Sequence, residues 1–181
     1  NYALVLEAKK ETVGNNEFTS GKVTTENKVA IKYGVVEVRM KAPDVSDGLW
    51  PAAWLLGINH SEVGWPYCGE IDMMEMGHAA SERQAEGFSG SANNFVRANL
   101  LWYASGACDV DNPTCAASIA YDKFYTTPYT PSSPLNNRFV TYRMYWNESQ
   151  IRLTVVDGNN EYDLYTNPFP IGPNEEAFKK P

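Results

Sequence analysis

Gly69-Glu70-Ile71-Asp72-Met73-Met74-Glu75-Met76-Gly77 sets three carboxylates among apolar residues, with one residue too many between the last two. In a β-strand successive side chains alternate faces, so Glu70 and Asp72 point one way and Ile71 and Met73 the other. Plain alternation would send Glu75 to the wrong face. A β-bulge at Met73-Met74 supplies the extra residue and returns Glu75 to the face of Glu70 and Asp72, and bulges are over-represented beside active sites. The competing reading is a solvated acidic face. Against it, the opposite face, made of Ile71, Met73 or Met74, and Met76, is wholly apolar. That marks an interior strand, where carboxylates are costly unless they are used.

The pattern suggests a chemistry. Counting the bulge as one rung, Glu70 and Glu75 have Cα atoms about 13 Å apart at ~3.3 Å per residue, and Glu side chains leaning inward close much of that gap. A carboxyl separation of roughly 5 Å is what a retaining glycosidase uses, with one group as nucleophile and the other as general acid and then base. Asp72, shorter and between them, fits a proton-sharing partner that keeps the two Glu proton affinities apart.

Outward from this strand, further runs of strand character stand between turn signals. They cover Tyr2 to Ala8, Gly21 to Thr25, Gly34 to Lys41, Leu49 to Leu56, Phe95 to Tyr103, Phe139 to Trp146 and Ile151 to Asp157. Asp157-Gly158-Asn159-Asn160, ahead of Tyr162-Asp163-Leu164-Tyr165, is a hairpin signal. No segment has a helical period. Tyr121 to Asn137, rich in Pro, Thr and Ser, reads as a long irregular connection. Many short antiparallel strands imply an all-β fold, an antiparallel β-sandwich of jelly-roll type, with residues 1–181 as a single domain.

Composition narrows the partners. The chain has 181 residues, 43% of them hydrophobic, which allows a sizeable core. Its net charge of -7 argues against a nucleic-acid backbone or an anionic membrane surface and is compatible with a neutral substrate. Eleven Tyr, seven Phe and five Trp suit both strands and stacking on sugar rings. No run is long and apolar enough to span a bilayer. Cys108 and Cys115 bracket a short polar loop that suits a disulfide in an oxidising compartment. Cys68, without a suitable His partner, reads as buried filler, and His60 and His78 are too few for a zinc site.

Gly48-Leu49-Trp50-Pro51-Ala52-Ala53-Trp54-Leu55-Leu56-Gly57, followed by Trp65-Pro66-Tyr67-Cys68-Gly69-Glu70-Ile71-Asp72-Met73-Met74-Glu75, resembles the laminarinase-type β-1,3-glucanases of glycoside hydrolase family 16 in order and spacing. Tyr33 to Lys41 looks like the family's preceding strand, Phe18 to Gly21 like the one before it, and Tyr142 to Trp146 with Ile151 to Gly158 like its later pair. The resemblance implies that Glu70 is the nucleophile, Asp72 the assisting carboxylate and Glu75 the acid/base. The spacing from Glu70 to Glu75 is that of the bulged laminarinase subtype, which favours β-1,3-glucan. Trp50, Trp54 and Trp65 would line the donor side of the cleft, with core packing as the alternative. Arg39 shares a strand face with Glu37, so one of them could hydrogen-bond sugar hydroxyls; a cleft-wall ion pair is the competing reading.

One position departs from the family pattern, since Leu101 stands where the next strand often carries an active-site His. The family's opening strands and its later Leu-, Asn- and Ala-rich strand have no counterpart in the sequence. The chain therefore reads as the central portion of the domain, incomplete at both termini, with the remaining segments or another chain expected to complete the fold. The function implied is a retaining endo-β-1,3-glucanase acting on laminarin-like polysaccharide, secreted, with no cofactor required. A structural calcium ion is left open, because Asp109-Val110-Asp111-Asn112 is a weak oxygen cluster without the glycine of a calcium loop. The alternatives are a mixed-linkage β-1,3-1,4-glucanase, an agarase-like relative, or a non-catalytic β-glucan-binding module. The last has no need of both Glu70 and Glu75.

Overall fold

The computed structural model describes residues 3–119, 129–165 and 168–181. Two compact units are present, residues 1–30 and 31–181. In the first, β1 (Lys9–Val13) and β2 (Asn16–Thr19) form an antiparallel hairpin around Gly14-Asn15. This corrects the strands expected over Tyr2 to Ala8 and Gly21 to Thr25, neither of which is a strand among the described residues. Leu4, Val5 and Leu6 are exposed. An apolar run without a neighbour to take its N–H and C=O groups does not make a strand, whereas a turn dipeptide between two polar segments closes a hairpin.

The second unit is a β-sandwich with the jelly-roll architecture expected. One sheet has the order β4 (Ala52–Leu56), β5 (Glu70–Glu75), β6 (Arg97–Tyr103), β7 (Ala116–Ser118). The other has the order β10 (Asn160–Asp163), β9 (Gln150–Asp157), β8 (Phe139–Trp146), β3 (Gly34–Lys41), and β11 (Phe169–Pro170) also pairs with β9. Among the described residues, every pairing between these strands is antiparallel. The alternation in β8 shows how the sequence builds the core: Val140, Tyr142, Met144 and Trp146 are buried, while Thr141, Arg143 and Tyr145 turn outward. Across from them lie Ile71, Met73, Met74, Ala98, Leu100 and Trp102 of the first sheet, in the same continuous core. Burying each large side chain contributes about 1.5–3 kcal/mol.

The β9–β10 hairpin turns where expected, with Asp157 paired to Asn160 and Gly158 at φ +64°, a conformation that glycine adopts without steric cost. Its second strand begins at Asn160, earlier than expected. Two short helices, α1 (His60–Val63) and α2 (Ala80–Ala85), escape a periodicity search because neither is long enough to show a period. The irregular connection expected over Tyr121 to Asn137 lies outside the described residues as far as 128, and residues 129–137 contain no strand. Cys108 and Cys115 are disulfide-bonded in the loop between β6 and β7, and Cys68 is buried.

Candidate active site

The bulge lies where the sequence requires it. Against β4, Ala53 pairs with Met74 and Trp54 with Asp72, so Met73 is the added residue. Against β6, Asp72 pairs with Asn99 and Glu75 with Arg97, which leaves Met73 and Met74 opposite Ala98 alone. Both methionines are buried rather than one of them. The consequence is that Glu70, Asp72 and Glu75 share the face of β5 turned away from the core, where Ile71 and Met76 are buried.

The neighbouring strands add their own alternate residues to this face. Leu56 and Leu101 flank Glu70, Trp54 and Asn99 flank Asp72, and Ala52 and Arg97 flank Glu75. Leu101 thus sits directly across from Glu70, where the resemblance leads one to expect a His. The Ser118 hydroxyl donates to Asn99 Oδ1 at 2.6 Å and holds that amide in the row beside Asp72.

Two indoles anchor the outer carboxylates. Trp65 Nε1 donates to Glu70 Oε2 at 2.7 Å, and Trp50 Nε1 donates to Glu75 Oε1 at 3.1 Å. Trp50 reaches Glu75 because the chain ahead of β4 lies tight against the end of β5. Met76 N–H donates to the Pro51 carbonyl at 3.2 Å, and a Cβ on Gly77, at φ +97°, would stand 2.1 Å from the Leu49 carbonyl oxygen. Trp50 is 51% exposed, Trp54 38% and Trp65 39%, so all three indoles keep a solvent-facing surface rather than packing as core.

The electrostatics separate the three acids. Burial, then the negative charges of Glu75 and Glu70 and a hydrogen bond with Glu70, push the Asp72 carboxyl up to about 9, with Arg97 pulling the other way. Asp72 is therefore protonated at neutral pH and donates toward Glu70. Burial also raises Glu75 above the ordinary carboxylate range, opposed by Arg97 and by the Trp50 N–H. His78, buried with its ring edge-on to Trp50 (4.7 Å between centroids) and to Phe95 (5.5 Å), is held neutral, because burial and then Arg97 depress it to about 4. It supports the back of Trp50 as an uncharged aromatic.

Arg39 does not belong to this site, a correction to the sequence reading. It lies on β3 in the other sheet, where Val36, Val38 and Met40 pack against the core and Glu37 and Arg39 turn to the opposite face. Its guanidinium lies 4.4 Å from the Phe139 ring centre, and Glu37 accepts from Arg143 at 2.6 Å. Arg39 does share a strand face with Glu37, as the alternation implies. Which side of the sandwich that face takes depends on the pairing of β3 with β8, which local alternation does not reveal. Cys68 is 2% exposed with its thiol pushed up by burial, as suits a packing residue. Asp109 accepts the backbone N–H groups of Asp111 and Asn112, and among the described residues no cluster of three His, Cys, Asp or Glu is arranged to hold a metal ion.

Arg97, Asn99 and Tyr103 were not singled out from the sequence, although alternation along β6 places them beside the acids once that strand is paired with β5. Tyr67 stacks on Tyr103 at 4.1 Å and 15° and extends the aromatic surface beyond the Glu70 end. Trp50 also lines a pocket of about 520 Å³ with Gly48, His78, Glu82 and Arg83.

A jelly-roll sheet carrying two indole-anchored glutamates with a protonated aspartate between them has the layout of a two-carboxylate glycosidase centre. Residues 2–174 match the profile of glycosyl hydrolases family 16, and the chain belongs to that family. It is similar to the solved laminarinase catalytic domain of Thermotoga maritima, with a TM-score of 0.67 and 28% identity over 97% of this chain and 62% of that one. Among curated relatives, it is 44% identical over 59 residues to a glucan endo-1,3-beta-glucosidase A1 of Niallia circulans, covering 33% of this chain and 8% of the relative. It is also 37% identical over 87 residues to a beta-1,3-glucan-binding protein of Penaeus monodon, covering 48% and 22%. The chain thus spans under two thirds of that solved domain and a quarter or less of those curated relatives.

Proposed function

We propose that the chain carries the catalytic face of a retaining endo-β-1,3-glucanase that hydrolyses laminarin-like β-glucans by double displacement. The observation that carries the reading is the bulge, which returns Glu75 to the face of Glu70 and gives each glutamate its own indole N–H. Glu75, whose carboxyl burial shifts upward, is the general acid that gives a proton to the departing glycosidic oxygen. Glu70 attacks the anomeric carbon, and its carboxylate is oriented by Trp65 and by protonated Asp72. Glu75, now ionised, takes a proton from water, which opens the glycosyl ester and restores both glutamates. Trp54 and the Tyr67–Tyr103 pair offer flat apolar surface to sugar rings along the same open face.

A secreted location is part of the proposal, supported by the Cys108–Cys115 disulfide. No described helix is long and apolar enough to cross a membrane. Similarity to a glucan-binding protein keeps a binding module as the alternative, but binding alone gives no reason for a buried, protonated Asp72 between two glutamates. Incubation with laminarin, lichenan and agarose, followed by sizing of the products, tests the reading. Rapid shortening of laminarin to a ladder of oligosaccharides is expected. Binding of laminarin without any cleavage would replace the enzyme reading with the module, and preferential cleavage of lichenan or agarose would move the substrate.

A further inference from the structure

Arg97 enters the row of acids as a cation with two claims on it. In the pairing of β5 with β6 it faces Glu75 directly. On its other side its Nη1 lies 3.0 Å from Glu86 Oε1, just beyond the last residue of α2, and both side chains are largely buried, at 16% and 13% exposure. A buried guanidinium beside the general acid would favour the ionised carboxylate and so work against proton donation. Glu86 supplies the compensating charge.

We propose that Glu86 is a positioning residue for catalysis, neutralising the Arg97 guanidinium that faces Glu75 so that Glu75 can carry the proton the leaving group needs. The inference rests on the reading of Glu75 as acid/base. Other groups around Glu75 leave this role to the pair: Glu70 on its own strand and Glu82 of α2 favour its protonated form, and Arg97 opposes it, joined by the neutral Trp50 N–H. Around Arg97 stand Glu86, Glu75, Asp72 and the buried His78, which is neutral. Glu86, which lies outside the catalytic row, ion-pairs with Arg97. The short segment bearing α2 thereby takes part in tuning the acid without touching substrate.

The test is the pH profile of kcat/KM on laminarin, whose natural leaving group requires protonation, so that the alkaline limb reports Glu75. In Glu86→Gln the limb should move to lower pH by on the order of one unit, as expected when a cation near a carboxylate loses an anion that offsets it. Glu86→Asp, which keeps the charge, should hold the limb within a few tenths of a unit of the parent. In the double variant Glu86→Gln/Arg97→Gln, which removes both members of the buried Arg97–Glu86 pair together, the limb should return to the parent value or rise above it. A purely structural Glu86 would lower the melting temperature and leave the limb in place, and that result overturns the proposal, as would a double variant whose limb lies below the parent. Glu75→Gln is measured alongside. It should lose activity on laminarin by about 10²-fold or more with no alkaline limb remaining. An unmoved limb in Glu86→Gln beside that loss refutes only the role of Glu86, whereas full activity in Glu75→Gln refutes the acid/base reading itself.

Discussion

At the scale of single residues, the candidate site gives three chemically similar acids different surroundings. Asp72 is 4% exposed between two glutamates, and its raised proton affinity makes a statement about stability as well as mechanism. The folded chain binds a proton at Asp72 that the unfolded chain has released between the ordinary 3.8 and about 9, so this group removes stability as pH rises through that window. Asp72→Asn should therefore raise the melting temperature by several degrees at pH 8, on the order of 1 kcal/mol, while lowering activity, and the gain should shrink toward pH 4. Thermal melts across pH check this; a destabilised Asn variant at pH 8 would mean that Asp72 is ionised and paired. His78 has the opposite sign. Depressed from 6.5 to about 4, it contributes stability present above pH 6.5 and lost as pH falls through 4. Trp50 gives a second residue-scale prediction, since half of it is exposed and its N–H serves Glu75. Trp50→Ala should weaken laminarin binding about tenfold, for a lost stacking contact of order 1 kcal/mol, with little change in melting temperature. A collapsed melting temperature with normal affinity would reassign Trp50 to structure.

Elements differ in how much of themselves the sequence discloses. Strand β5 could be read with its bulge because three acids and an apolar opposite face leave a single consistent alternation, and β8 could be read because its apolar residues recur at every second position. The Arg97, Asn99 and Tyr103 row joins the site only when β6 is laid against β5, so local alternation alone does not reveal it. Arg39 falls outside the site for the same reason, since the pairing of β3 with β8 and not with the sheet of β5 is a long-range fact. The two short helices carry no periodic signal, and the N-terminal strands were misread where apolar residues have no partner. Two changes test how these elements are held. Gly77→Ala puts a Cβ into the Leu49 carbonyl at positive φ and should cost about 2 kcal/mol or more, reducing activity because Trp50 moves with that segment. Unchanged melting and activity would show that the approach of β5 to residue 49 is unimportant. Replacing Cys108 and Cys115 together by Ser opens a loop of seven-residue separation and should cost about 2 kcal/mol, with activity on laminarin retained at low temperature.

The molecule as a whole separates its duties between the two faces of one sheet. One face of β5 and β6 supplies Ile71, Met73, Met74, Ala98, Leu100 and Trp102 to the core, and the other presents Glu70, Asp72, Glu75, Arg97 and Asn99. The packed side gives the reacting side its rigidity, because a carboxylate cannot shift without moving a strand whose back is locked into the sandwich. The proposed mechanism therefore stands or falls on Glu70 as nucleophile and Glu75 as acid/base. These roles fail differently when truncated, and an activated aryl β-glucoside with added azide separates them. In Glu75→Ala the glycosyl ester on Glu70 still forms, because the leaving group needs little protonation, and azide then attacks it to give the β-glycosyl azide. In Glu70→Ala no ester can form, and azide entering the vacated space displaces the leaving group directly to give the α-azide. Proton NMR of the products distinguishes the anomers: the β-azide from Glu75→Ala together with the α-azide from Glu70→Ala is the predicted outcome, and the α-azide from Glu75→Ala would contradict the account.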